Sequence, residues 1–342
     1  MGDTGKRKCT TDGNFMCQET KAVQQLRGGR LMDKLSKNVY ILFALLAAAL
    51  YSLNAPFSKL LLQRIPPTMM AAFLYLGAGI GMLLVGCIRK AAGRTGRDQP
   101  LTRGQLPFIS GMIILDIAAP IFLMLGLQLT TAANASLLNN FEIVATAVIA
   151  LAVFKERITG RLWGAVSLIT LSSMILSLQD GGSFRFSSGS LLVLAACVCW
   201  GLENNCTRML SGKDPMEVVI LKGFGSGLGS LAIALATGEK IPRFDHLGIT
   251  MLLGFVSYGL SIFFYVYAQR GLGAARTSAY YAAGPFIGVA LSFVIFRKMP
   301  GTVFFAALAL MAVGAYLAST EGRRHTARLS SGAAAGESAY KG

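Results

Sequence analysis

Residues 126–160, GLQLTTAANASLLNNFEIVATAVIALAVFKERITG, and residues 268–302, AQRGLGAARTSAYYAAGPFIGVALSFVIFRKMPGT, are two versions of one segment. Laid on each other at a constant offset of 142, they pair Ala132-Ala133 with Ala274-Ala275, Ser136 with Ser278 and Phe154 with Phe296. Earlier in each half, YSLNAPFSKLL from Tyr51 aligns with WGLENNCTRML from Trp200 at an offset of 149, which also pairs Pro66 with Pro215. The chain reads as an internal duplication.

What is duplicated follows from composition. The 342 residues are 54% hydrophobic and only 14% charged, with mean hydropathy +0.56. A soluble domain carries about 25% charged residues, so most of this chain does not face water. A membrane span needs about 20 mainly apolar residues. Such runs fall near 39–60, 66–88, 105–127, 131–152, 158–178, 189–210, 215–236, 247–268, 275–296 and 300–319. Thirty-nine glycines fit the same picture, because small residues let membrane helices approach closely. The expected fold is an all-α integral membrane protein of ten transmembrane helices.

Each copy then holds five spans, and an odd number forces the copies into opposite topology. Inverted repeats of this kind mark transporters, with the substrate site near the midplane between them. The repeats are expected over 39–178 and 189–319. Polar segments flank them, a disordered tail over 1–38 and a C-terminal tail over 320–342. Met32 opens MDKLSKNVYILFALL, which reads as a natural start, so the first 31 residues resemble an upstream extension. With the N-terminus inside, the inner loops collect twelve basic residues and the outer loops seven. The positive-inside rule therefore places both termini in the cytoplasm of a multi-pass inner or plasma membrane protein.

Other classes find little support. The net charge of +16 comes from basic residues scattered between apolar runs, which leaves no groove for nucleic acid. Cys9, Cys17, Cys87, Cys197, Cys199 and Cys206 form no CxxC pair, and His246 and His325 have no ligand-like neighbours, so neither a zinc site nor a disulfide framework is indicated. GFGSGLG over 223–229 lacks a third glycine in register and a preceding strand, so no nucleotide loop is expected. No cofactor is implied. A membrane enzyme would need a nucleophile with its base, or metal ligands, and no such motif occurs. A non-transporting scaffold or sensor would not need buried charges and two inverted repeats.

The residues also resemble a known family. Asn54 to Lys59 at the end of span one, Pro66-Pro67 opening span two, Phe154-Lys155-Glu156-Arg157 after span four and Trp200-Gly201 in span six are similar to the EamA-like ten-helix members of the drug/metabolite transporter superfamily. The resemblance covers about 39–319. It implies export of amino acids or related metabolites by alternating access. The pattern has departures. The Glu-Pro step common in the fourth helix of each half is split, with Glu142-Ile143 in one copy and Gly284-Pro285 in the other. Lys222 follows Pro215 by seven, as is frequent in the family, but Pro66 and Pro67 lead only to Phe73 and Leu74. A polar site between the copies should therefore be asymmetric.

Charges within spans cost roughly 2.5–3.5 kcal/mol each at the centre, so each calls for an explanation. Glu203 and Lys222 both lie about seven residues from the inner face, roughly 10 Å deep. They are predicted to pair, as an inner gate or substrate contact or else as a static salt bridge. Asp116 precedes Pro120, whose kink frees carbonyls to line a cavity. Glu142 follows Asn139-Asn140. Either acid can carry a proton, hold a cationic group, or simply bond a neighbouring helix. Trp200, Tyr280 and Tyr281 are candidate cavity walls, with packing the alternative, and Pro285 is a candidate kink. Asn54, Pro56 and Lys59 read as the outer, less charged half of a gate, with Asn54 opposite Glu203 and Lys59 opposite Arg208 across the repeat. The expected partners are a small-molecule substrate and the bilayer, with proton coupling and carriage of anionic solutes such as sugar phosphates both open, and monomer or homodimer undecided.

Overall fold

The computed structural model describes residues 38–92, 103–155, 159–178, 187–210, 213–272, 277 and 280–339. The N-terminal tail and the Glu156-Arg157 turn lie outside the described residues. Nine helices among these are long and apolar enough to cross a membrane: α1 Asn38–Leu61, α2 Pro67–Ala91, α3 Arg103–Leu129, α4 Ala132–Val153, α5 Gly160–Ser177, α6 Ser188–Thr207, α7 Met216–Ala236, α8 Phe244–Ala268 and α10 Thr302–Thr320. The tenth, α9, is a shorter apolar helix, Gly284–Phe296. The helix of α10 continues past the apolar window to Ala339.

Local chemistry sets the helix ends. Thr131, Thr159 and Ser187 cap α4, α5 and α6 by accepting the backbone N–H three residues on, and Asp214 accepts from Met216 at the start of α7. Pro67 and Pro215 stand as first helical residues, where a missing N–H costs nothing. Lys155 and Arg297 end α4 and α9 in the left-handed conformation, at φ 54° and 50°. They are 142 residues apart, so the duplication reaches down to the backbone angle that stops a helix.

Packing obeys the same symmetry. Exchanging the repeats maps α2 on α7, α4 on α9 and α5 on α10 onto themselves, and all three pairs pack against each other. Three further sets of contacts come in matched couples: α3 on α6 with α8 on α1, α2 on α8 with α7 on α3, and α4 on α6 with α9 on α1. The result is one bundle in which the two five-helix repeats interleave about a pseudo-two-fold axis.

Glycine permits the central crossing of α2 and α7. A Cβ on Gly223 would lie 2.4 Å from the Gly79 Cα, and one on Gly79 would lie 3.0 Å from the Gly223 carbonyl carbon. Here backbones meet directly, as GxxxG-type faces do.

Several helices are interrupted in mid-membrane. α1 turns at Leu53, because Pro56 has no N–H to give to the Ser52 carbonyl one turn earlier. α4 breaks at Asn139-Asn140 and α9 opens at Gly284-Pro285 after a turn at Ala282-Ala283. α8 widens into a π-helical turn over Phe255–Leu260. Such irregular backbone is tolerated in a bilayer only where protein or a cavity receives it.

Candidate transport site

The end of the bundle where α1 begins is termed proximal, the opposite end distal. α6 descends to the proximal face, α7 rises from it, and their acids and base meet α3 in the middle. Lys222 Nζ lies 3.0 Å from Glu203 Oε1 and 3.0 Å from Asp116 Oδ2. The pair expected from depth alone is present, and Asp116 joins it. Glu203 also accepts from Thr207 one turn below. Asp116 and Glu203 are almost wholly buried, so two carboxylates share one ammonium in a low-dielectric interior.

From this triad the polar contacts run distally. Tyr75 on α2 donates to Asp116 Oδ1 at 3.2 Å, and its ring packs 5.1 Å from that of Tyr258. Tyr258 sits on the π-helical turn of α8, and its hydroxyl accepts from Asn54 Nδ2 at 2.9 Å. Asn54 Oδ1 in turn accepts from Ser58 at 3.0 Å. One chain of contacts thus links α6, α7, α3, α2, α8 and α1, crossing from the second repeat to the first. Trp200 is buried in the core, and Pro120 is buried one turn beyond Asp116.

A second polar group lies nearby on α4. Asn204 donates to Glu142 Oε1 at 2.6 Å and to Thr146 at 3.3 Å. Asn140 turns back onto the Leu137 carbonyl at 3.2 Å and caps the break in its own helix. Asn139 instead lines a small, half-open cleft between α1, α4 and α9, shared with Tyr51, Asn54, Ser136 and Pro285. Tyr281 stacks obliquely on Tyr51 at 5.6 Å, whereas Tyr280 packs with Ala44, Ala268 and Leu272 in a separate cluster. Adjacent in sequence, the two tyrosines serve different places.

At the distal end Lys59 donates to the Leu127 and Gln128 carbonyls at 2.5 and 3.0 Å. Its ammonium thus neutralises the last carbonyls and negative dipole end of α3. Beside it, Glu239 accepts from the backbone N–H groups of Thr68 and Met69 at 3.2 and 2.7 Å, and Arg64 meets His246 at 3.3 Å. The α1–α2 turn is therefore tied to both α3 and the α7–α8 connection.

Sequence reasoning missed Tyr51, Tyr75, Tyr258, Ser58, Asn204 and Ser136. A tyrosine or serine in an apolar run gives little signal, since both are common in helix packing. The one sign for Tyr258 is register: at the offset of 142 it occupies the place of Asp116.

This arrangement, inverted repeats with buried polar groups between them, is that of a membrane transporter. The EamA-like transporter family model matches residues 38–178 and 187–320, and the chain belongs to that family. It is 23% identical over 269 residues to an uncharacterized transporter of Methanothermobacter thermautotrophicus, covering 74% of this chain and 78% of that one. It is 19% identical over 270 residues to the uncharacterized transporter YyaM of Bacillus subtilis, covering 75% and 86%. A crystal structure at 19% identity superposes with a TM-score of 0.59 over 84% of this chain and 98% of the other, which supports the fold.

Proposed function

We propose that this transporter exports amino acids or related metabolites by alternating access, with both termini cytoplasmic, so that the proximal face is the inner one. The observation that carries it is the chain of buried contacts from Glu203 through Lys222, Asp116, Tyr75 and Tyr258 to Asn54 and Ser58. A static bundle has no reason to run polar groups through its middle at such cost. Here they lie where helices of the two repeats meet, with Tyr258, Asn54 and Ser58 on the interrupted helices α8 and α1, and rocking of one repeat against the other would expose them alternately.

The triad supports proton coupling through its charge balance. With both carboxylates ionised it holds one negative charge in excess of Lys222, and one proton on Asp116 or Glu203 removes it. Movement of that proton would be tied to a rearrangement of Lys222. An anionic substrate is less well served, because the ammonium that would bind it already has two carboxylates.

Uptake into proteoliposomes of the full chain, screened against amino acids, polyamines, nucleobases and sugar phosphates with and without a pH gradient, tests the proposal. Saturable amino-acid flux stimulated by the gradient is expected. Flux confined to sugar phosphates, or none for any class, overturns it.

A further inference from the structure

At the proximal end, a shallow groove between α2, α7 and α8 carries two opposite charges that do not neutralise each other. Arg89 stands in the last turn of α2, and Asp214 caps the first turn of α7. Both are half-buried, and both line the groove. The Arg89 guanidinium stacks over Phe263 of α8, 5.6 Å from the ring centre. Stacking occupies the face of the guanidinium and leaves the N–H donors at its edge. Among the described residues Arg89 makes no hydrogen bond and no ion pair. Asp214 Oδ1 accepts from the Met216 N–H at 2.9 Å, while Oδ2 has no such partner among the described residues.

The rest of the lining is apolar. Met82 of α2, Met216 and Val219 of α7, and Ile262 and Val266 of α8 contribute to it. Met82 precedes Arg89 by seven residues, so it lies roughly 10 Å farther from the proximal end. Tyr267, near the end of α8, also lines the groove and packs its ring 5.3 Å from that of Phe263. A tyrosine where spans end sits at the level of lipid headgroups. Ile88, next to Arg89, is 68% exposed and Tyr267 36% exposed, so the groove opens on the outside of the bundle.

Level and charge together select the occupant. Charged groups at the ends of spans meet lipid headgroups, and apolar side chains one to two turns deeper meet acyl chains. A purely anionic headgroup suits Arg89 but is repelled by Asp214. A quaternary ammonium has no N–H to give to Asp214 Oδ2. A phosphate and a primary ammonium one ethylene unit apart satisfy both: the phosphate accepts from the Arg89 fork, and the ammonium donates to the carboxylate.

We propose that this groove binds phosphatidylethanolamine, with the phosphate on Arg89, the primary ammonium on Asp214 and an acyl chain along Met82, Val219, Ile262 and Val266. The seat is separate from the Lys222 triad and does not depend on transport. It requires only that α2, α7 and α8 end at a membrane surface, on either face.

Native mass spectrometry of the delipidated full chain in detergent tests it, by titration with dioleoyl lipids that differ only in headgroup. Phosphatidylethanolamine is expected to bind about fivefold or more tightly than phosphatidylcholine and phosphatidylglycerol. Asp214→Asn keeps the helix cap, since asparagine caps as well as aspartate, yet should abolish the preference for ethanolamine over choline. Arg89→Gln should weaken both lipids alike, because both carry the phosphate. Lys90→Gln, whose exposed side chain is not part of the lining, should change neither. Unfolding temperatures confirm that each variant is folded. Equal binding of the ethanolamine and choline lipids, tightest binding of phosphatidylglycerol, or an unchanged preference in Asp214→Asn overturns the seat. So does equally tight binding of chain-free O-phosphoethanolamine, which would make the groove a site for a soluble zwitterion.

Discussion

The two repeats place different chemistry in the same slot. In the second, the α6 position opposite Asn54 holds Glu203, which is ion-paired to Lys222. In the first, Asn54 makes neutral hydrogen bonds to Tyr258 and Ser58, and Phe73 or Leu74 stands where Lys222 would be. Backbone geometry survived duplication while side-chain chemistry diverged. The lesson concerns dielectric: an ion pair once placed in a bilayer cannot lose one partner, whereas an amide–phenol bond is more easily dispensed with.

Removing the cation gives the largest break. Lys222→Met leaves Asp116 and Glu203 facing each other without a counter-ion, and breaking a buried pair costs about 3–5 kcal/mol. Loss of the folded protein in detergent is expected, with substantial recovery in Lys222→Met/Glu203→Gln, read by thermal unfolding. Full recovery of flux in the charge-swapped pair Glu203→Lys/Lys222→Glu would instead mark the contact as purely structural.

The symmetric α2–α7 crossing comes next. Gly223→Val places atoms inside the Gly79 backbone and should destabilise by about 1–3 kcal/mol or more, as overpacking does. Gly248→Ala, whose added Cβ meets nothing within 4 Å, serves as the control and should unfold as the parent does.

The neutral end should respond less. Asn54→Leu removes two hydrogen bonds and leaves Tyr258 and Ser58 to find other partners, at about 1–2 kcal/mol. Transport should fall while the protein stays folded. If Asn54→Leu and Pro56→Ala both leave flux rates untouched, the gate assigned to this half of the repeat is wrong.

The smallest effect lies where the repeats agree. Lys155→Gly and Arg297→Gly relieve left-handed backbone but remove a base from a helix C-terminus. A gain of no more than about 1 kcal/mol is expected at each. Unequal shifts in unfolding temperature would show that the two ends are less equivalent than their dihedrals.

The span count, the duplication and its register, and the contact between Glu203 and Lys222 were legible in the sequence. Hydropathy and charge cost act locally along a helix, and two charges at one depth on consecutive helices have few other partners. Asp116 was marked as costly, yet nothing in its own span told that it belongs with Lys222, because α3 meets α7 only through the interleaving of the repeats. Tyr280 and Tyr281 looked alike until the turn that opens α9 sent one to the α1–α8 cluster and the other to Tyr51.

The amino-acid sequence by itself determined the class of solvent, the number of helices, the breaks at Pro56 and Pro285 and the price of each buried charge, because these depend on residues one or two turns apart. Only the tertiary structure decided which charges meet, which amide holds Glu142 and which tyrosines carry the contacts from Asp116 to Asn54. Those contacts join residues far apart in the chain, 204 apart between Asn54 and Tyr258, and they arise from a pseudo-two-fold packing that no local pattern encodes.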